Sequence, residues 1–386
     1  LSNSACFSHT ISVYDLVTGK EFQDAQKINR PFSVFQTIGP MPSMAWSACR
    51  ASSPPSARSS HQISSRGSSL YIFGGEDGPH ASHFGYGEPV DSQVYTLNLD
   101  AKGAAAAWTE LAITAGVPPS PRLGHGQCIV GAYLYVFGGR QPADFEAVYD
   151  GTEAIRSLND THRLELTTGV WEELPCTGAI PSPRSYASMV PHGGTMFVFG
   201  GMVNDDRYSD LYALEDGTWS RLPGGPMEGR GGAGLVATSR GSLYVVAGYC
   251  GRPVGDVWEF DLSARSWMQH PELKLAVPRS IFACCLDEAA ERILVFGGEL
   301  TDASGHDDAG KYTNETLFVA LGGGGGAVLL PMMGELPAAR GWTSGCIVES
   351  ESMRAFVVFG GIRRGRPDDG EPAGVRLGDV HILNLA

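Results

Sequence analysis

Three features of the sequence predict an all-β chain folded as a six-bladed β-propeller, with four antiparallel strands in each blade. The first is a hexapeptide written six times, at Leu70–Gly75, Leu134–Gly139, Met196–Gly201, Leu243–Gly248, Ile293–Gly298 and Phe356–Gly361. Five copies end Phe-Gly-Gly and the fourth ends Val-Ala-Gly, and self-similarity at this spacing marks a repeat architecture. The second is a tryptophan downstream of the hexapeptide, at Trp108, Trp171, Trp219 and Trp267. The third is composition: 51 Gly and 24 Pro beside 18% charged residues describe many turns rather than long helices.

Each repeat reads as four strands in order. An Arg leads the first, as in Arg58-Ser59-Ser60-His61, Arg122-Leu123-Gly124-His125, Arg184-Ser185-Tyr186 and Arg279-Ser280-Ile281-Phe282. The hexapeptide is the second. The third starts on an acidic or polar residue, as in Asp91-Ser92-Gln93-Val94-Tyr95 and Asp256-Val257-Trp258-Glu259-Phe260, and the fourth opens on the Trp. Short apolar runs bounded by Gly, Pro, Asn or Asp suit one antiparallel sheet, and six sheets about an axis make a propeller. Gly-Gly belongs where the inner ends of the blades crowd, because only a residue without Cβ allows close backbone approach and positive φ. The Trp is expected to cover the apolar face of the blade.

The two ends of the chain predict how the ring closes. The chain finishes on Asp379–Leu385, a third strand with no fourth after it, while Trp46 precedes Arg58 where a fourth-strand Trp belongs. The N-terminal strand is therefore expected to complete the last blade and leave no open edge. Residues 46–386 form the single propeller, and residues 1–45 are an extension that the repeat pattern does not place, although Ile11-Ser12-Val13-Tyr14-Asp15-Leu16 resembles a third strand. The fifth repeat is irregular: five glycines, Gly322 to Gly326, replace its usual turn, no Trp follows, and the segment is expected to be flexible.

Bulk properties narrow the function. A formal charge of −14 argues against nucleic acid or an anionic membrane as the main partner. No apolar run approaches the roughly 18 residues of a membrane span, and no charged segment followed by an apolar one suggests a secretory leader. The eight cysteines lack metal-type spacing and read as reduced, packed thiols, which points to the cytoplasm.

Function is expected in the loops that leave the Gly-Gly strands, because they crowd one face of the ring and line its funnel. Residues 76–91, 140–158, 299–314 and 362–378 are long. The fifth loop holds Glu299, Asp302 and His306, side chains suited to Fe(II), Mn(II) or another divalent ion, or simply to a solvated turn. The first loop, Glu76-Asp77-Gly78-Pro79-His80-Ala81-Ser82-His83, holds metal-capable residues as well. In the sixth, Arg363, Arg364 and Arg366 face Asp368, Asp369 and Glu371, opposite charges that neutralise each other.

The aromatic-Gly-Gly hexapeptide with its downstream Trp resembles the kelch repeat, over about residues 46–386. Finer motifs resemble one kelch branch, the plant nitrile-specifier, epithiospecifier and thiocyanate-forming proteins with their plain kelch relatives. They are Pro278-Arg279-Ser280-Ile281-Phe282-Ala283, Gly297-Gly298-Glu299, Gly305-His306, Asn314-Glu315, Arg340-Gly341-Trp342-Thr343 and Arg230-Gly231-Gly232-Ala233-Gly234. The resemblance implies that Glu299, Asp302 and His306 hold Fe(II), which acts on glucosinolate aglycones and diverts them from isothiocyanate toward nitrile. It also implies that Arg140 and Arg207 bind the substrate's sulfate, for which a planar guanidinium is suited. Pairing with Asp144, Asp205 or Asp206 is the other reading of these arginines. Trp342 is either an aromatic wall of the funnel or a core residue. The chain departs from the family in one place: its spacing is Glu-x2-Asp-x3-His where the family has Glu-x3-Asp-x3-His. Either the loop absorbs the difference, or Asp307 or Asp308 substitutes, or the iron site is lacking.

The expectation is a non-enzymatic binding module whose funnel loops hold a protein partner or a small ligand at the funnel face. The alternative is a specifier-like, Fe(II)-dependent lyase built on Glu299, Asp302 and His306.

Overall fold

In the hexapeptides, alternate side chains face opposite sides of a sheet, and both sides are apolar, so each run is buried on both faces. Leu70, Ile72 and Phe73 are buried, as are Leu294, Val295 and Phe296. A computed structural model of the chain describes residues 44–77, 88–105, 107–142, 155–300, 311–322, 326–329 and 331–385. Among these it forms six blades, each of four antiparallel strands ordered inner, hexapeptide, third and outer, and two blades add a short parallel fifth strand, Thr177–Gly178 on blade 3 and Met333–Gly334 on blade 6.

Blade 1 comprises Gln62–Arg66, Ser69–Phe73, Tyr95–Asn98 and Trp108–Glu110. Blade 2 comprises Gly126–Val130, Tyr133–Pro142, Ile155–Glu165 and Val170–Glu173. Blade 3 comprises Ser188–His192, Thr195–Phe199, Leu211–Glu215 and Thr218–Leu222, and blade 4 comprises Gly234–Ala237, Ser242–Tyr249, Pro253–Asp261 and Ser266–Gln269. Blade 5 comprises Ala283–Asp287, Arg292–Phe296, Thr316–Ala320 and Ala327–Leu329. Blade 6 takes Ser344–Ser350, Met353–Arg364 and Gly374–Asn384 from the end of the chain and Ala45–Cys49 from its start. Trp46 pairs with Leu383 and Cys49 with Val380, so the ring closes through the N-terminal strand as the sequence predicts. Among the described residues no helix is long and apolar enough to cross a membrane.

The repeat's Arg does not lead a strand. Each inner strand begins four residues later, and the buried guanidinium ties its own blade together. Arg184 Nη1 donates to Gly200 O at 2.9 Å and to Asp210 Oδ1 at 2.6 Å, while Nη2 reaches Asp210 Oδ2 at 3.1 Å. Arg122–Asp160, Arg230–Asp256, Arg279–Glu315 and Arg340–Asp379 repeat the pair. These arginines therefore serve the scaffold. In blade 1 the equivalent strand position is Gln93, and Asp91 reaches Arg58 at only 3.9 Å.

The same Arg joins neighbouring blades through its backbone. The second glycine of each hexapeptide donates its N–H to the carbonyl of the next blade's Arg, as Gly75 does to Arg122 at 2.9 Å and Gly361 to Arg58 at 2.9 Å. A Cβ on Gly74, which has φ +64°, would stand 2.6 Å from that same Arg122 oxygen. This contact explains the Gly-Gly signature.

The outer-strand Trp covers a neighbour as well as its own blade. Trp108 packs on Phe359, Trp171 on Phe73, Trp219 on Phe137, Trp267 on Phe199 and Trp46 on Phe296, with ring centroids 5.1–5.8 Å apart. Each contact joins a Trp to the hexapeptide Phe of the preceding blade. At the seam between blades 4 and 5 both partners are missing, Val246 standing for the Phe and no Trp lying in Ala327–Leu329. Leu273 and Leu275 fill that seam beside Val246.

About half of the segment expected to be a long sixth loop is strand. Beyond a bulge after Phe359, Ile362 pairs with Arg376, Arg363 with Val375 and Arg364 with Gly374. Arg363 and Glu371 close the tip with a bidentate pair of 2.7–2.8 Å, the neutralisation expected from the sequence. Seven cysteines, from Cys49 to Cys346, are free thiols among the described residues. Gly323–Gly325 of the glycine run lie outside the described residues, as do residues 1–43.

Candidate functional site

The centre of the ring is built from the residue two places after each repeat's Arg: Ser60, Gly124, Tyr186, Gly232, Ile281 and Trp342. Each donates its backbone N–H to the carbonyl of its counterpart in the blade before. Gly124 bonds Ser60, Tyr186 bonds Gly124 and Gly232 bonds Tyr186; Ile281 bonds Gly232, Trp342 bonds Ile281 and Ser60 bonds Trp342, at 2.6–3.0 Å. All six are left-handed, with φ between 48° and 60°. A closed hydrogen-bonded collar results, and its residues line a central cavity of about 160 Å³.

The residue after each hexapeptide forms the wall above the collar: Glu76, Arg140, Met202, Tyr249, Glu299 and Ile362. Each is fixed by a backbone bridge to the residue following an Arg, for example Ser59 with Glu76, Leu123 with Arg140 and Ser280 with Glu299. Their side chains thus come from six blades but stand on a common rigid base.

One side of the funnel is charged and hydrogen-bonded. Arg140, 7% exposed, donates from Nη2 to Tyr186 Oη at 3.1 Å, and its guanidinium lies 4.9 Å above the Tyr186 ring. Tyr186 Oη and Ser60 Oγ share a hydrogen bond of 3.2 Å, and Ser60 Oγ donates to Glu76 Oε1 at 2.8 Å. Ser59 Oγ also donates to Glu76, while Arg376 donates to Ser59 Oγ at 3.2 Å and stands 3.5 Å from the second Glu76 oxygen. Four blades contribute to this buried chain of polar groups.

The other side is aromatic. Trp342 is half-buried at the collar and meets Tyr312 edge to face, with centroids 5.9 Å apart. Burial, and next the charge of Glu299, push the Tyr312 hydroxyl pKa well above its ordinary range. Glu299 is 8% exposed and bridged to both Ser280 and Tyr312 at the root of its loop. Below the collar, His61 and His125 are buried edge-on against Phe359 and Phe73. Burial first, then the charges of Arg58 and Arg122 respectively, hold both imidazoles neutral with pKa pushed down to about 3.

Of the residues singled out from the sequence, Arg140, Trp342 and Glu299 stand on the collar or its wall. Arg207 sits in the two-stranded hairpin of Met202–Val203 and Asp206–Arg207, where it donates to the backbone oxygen of Asp205 at 2.8 Å and lies 4.9 Å above the Tyr249 ring. Asp302 and His306 lie outside the described residues, as do His80 and His83 of the first loop. Sequence reasoning missed Tyr186, Ser60, Arg376 and Tyr312 as site residues. The available signal was the wide variation two places after an unvarying Arg.

Known proteins resemble the chain in sequence and in fold. The model of the KLHDC2/KLHL20/DRC7 Kelch-repeats domain matches residues 147–298. The N-(sulfonatooxy)prop-2-enimidothioate sulfolyase of Thlaspi arvense is 26% identical over 342 residues, 80% of this chain and 89% of that protein. Kelch domain-containing protein 2 of Bos taurus is 28% identical over 270 residues, 65% of this chain, and the match spans 63% of its own length. The solved structure of YjhT superposes with a TM-score of 0.62 at 16% identity, covering 85% of this chain and 95% of that one, a likeness of fold alone. With its six repeats closed into a ring of six blades, the chain is a six-bladed β-propeller that resembles the kelch-repeat proteins and, among them, the nitrile-specifier-like branch.

Proposed function

We propose that the protein is a binding module that takes a ligand, small or presented by a partner protein, into the funnel above the collar. The observation that carries this reading is that Trp342 and Tyr186, from two blades, line one central cavity, with Arg140 of a third blade bonded to the Tyr186 hydroxyl. A preformed concave site with an aromatic side and a few placed polar groups is the usual form of a ligand pocket. Arg140 and Arg207 are the proposed contacts for an anionic group, and Trp342 for an apolar one. Thermal-shift screening of metabolites and short peptides tests this, run on the parent and on an Arg140→Gln/Trp342→Ala double variant. Compounds that raise the parent's Tm are expected to leave the variant's unmoved; equal shifts in both proteins would place binding elsewhere.

The similarity to the sulfolyase supports a second reading, a specifier-like activity with Fe(II) at Glu299, Asp302 and His306. Only Glu299 of this set is described, and its buried carboxylate at the loop root is suited to be one ligand. Bound there, Fe(II) would supply a Lewis acid for a thiolate sulfur. Anaerobic loading followed by metal analysis tests the site: a His306→Ala variant is expected to lose iron, and parent-level iron in that variant removes the site. Incubation with thioglucosidase and a glucosinolate tests the activity, and product ratios unchanged by the protein would leave the binding module alone.

A further inference from the structure

Four of the six collar positions carry side chains in a backbone region that glycine occupies without cost. Ile281 has φ 50° and Trp342 φ 48°, and for a β-branched residue such a conformation is a true outlier. The collar itself does not need these side chains, since its hydrogen bonds are all backbone, and Gly124 and Gly232 complete it equally well. Nor is Ile281 a core residue. It is half-buried at the cavity, its Cγ2 lying 2.6 Å from where a Cβ on Gly232 would be. Tyr186 covers Gly124 in the same manner, with ring atoms 3.2 Å from the equivalent point. Two of the large side chains, Tyr186 and Ile281, thus lie over the collar glycines that precede them. Strain of this kind persists only where the surrounding structure fixes it, and it clusters at functional sites.

We propose that Ile281 and Tyr186 are specificity-determining residues of the funnel floor, dividing it into an apolar seat and a polar seat for one small amphipathic molecule. This inference rests on the binding-module reading. The apolar seat is Ile281 with Trp342 and Tyr312; the polar seat is the Tyr186 hydroxyl with Ser60 and Arg140. Of these residues, Ser60, Tyr186, Ile281 and Trp342 line the central cavity of about 160 Å³. Further along the inner strands the cavity wall is mixed, with Gln62, Gln127 and Ser344 beside Ile63, Met189, Leu235 and Phe282.

Two fluorescent probes separate the seats: neutral 6-propionyl-2-dimethylaminonaphthalene and anionic 1-anilinonaphthalene-8-sulfonate. Ile281→Gly is expected to weaken both by about tenfold, the worth of one well-buried aliphatic contact, while its Tm stays within about 3 °C of the parent. Should Ile281→Gly not fold, Ile281→Asn takes its place, because Asn tolerates the left-handed region. Arg140→Gln is expected to weaken only the sulfonate probe. If both Ile281 variants bind both probes as the parent does while Arg140→Gln loses the sulfonate, the floor assignment falls and the binding module stands. If Ile281, Arg140 and Trp342→Ala variants all bind like the parent, the binding reading falls and takes the floor assignment with it.

Discussion

Replacing Trp46 by Ala tests ring closure where its structural cost is largest. Trp46 is 2% exposed in the strand Ala45–Cys49, with Phe296 of blade 5 and Phe356 of blade 6 at 5.1 and 5.9 Å between ring centroids. Its indole Nε1 donates to Thr316 Oγ1 at 3.2 Å, and Thr316 is itself buried. Truncating a buried Trp costs about 3–5 kcal/mol, and leaving a buried hydroxyl without its donor adds about 1 kcal/mol. The sum, about 4–6 kcal/mol, is a large part of the roughly 5–15 kcal/mol by which a domain is stable. Trp46→Phe keeps a ring in place and is expected to cost about 1–2 kcal/mol. Urea unfolding followed by far-UV circular dichroism reads both. An Ala variant within about 1 kcal/mol of the parent would mean that the N-terminal strand does not hold the ring shut.

Arg184→Met removes the hydrogen bonds to Gly200, Asp210 and Ser182 from a buried position and strands the Asp210 carboxylate, so a loss of about 3–5 kcal/mol is expected by the same assay. Gly74→Ala drives a methyl to 2.6 Å from Arg122 O at φ +64° and is expected to lower Tm by several degrees, read by calorimetry. His61 and His125, depressed to about 3 in the fold against 6.5 when unfolded, bind fewer protons folded than unfolded. Stability is therefore full above pH 6.5 and falls as pH drops from there toward 3, by up to about 2.7 kcal/mol per pH unit for two protons. A His61→Leu/His125→Leu variant is expected to flatten the profile between pH 6.5 and 4. Asp160 and Asp379, held low by Arg122 and His162 and by Arg340 and His381 against the opposing effect of burial, act only at more acid pH.

Much of the ring was legible because its determinants are local and repeated. The hexapeptide Phe, the outer Trp and the strand Asp each recur at one place, and Trp46 set against the unfinished last repeat discloses the closure. Blade 1 misled the reading: Asp91 looks like the acidic start of its third strand, yet it stands two residues before the register position, which Gln93 holds. The collar was not legible. A left-handed Ile281 or Trp342 runs against every local preference, and only the geometry of six blades meeting at an axis imposes it. Reading the Arg as the first residue of a strand followed from the same blindness. The polar chain from Arg376 to Arg140 joins residues more than 200 positions apart, which no spacing rule discloses.

At the joint between blades 4 and 5, both halves of the aromatic latch are absent, with Val246 on one side and Ala327–Leu329 on the other. Restoring either half alone would bring no gain, because an indole there meets aliphatic packing from Leu273 and Leu275, and a phenyl has no indole to meet. Amide protons of the fifth blade's outer strand are expected to exchange sooner than those of the outer strands that carry a Trp, as hydrogen exchange would read.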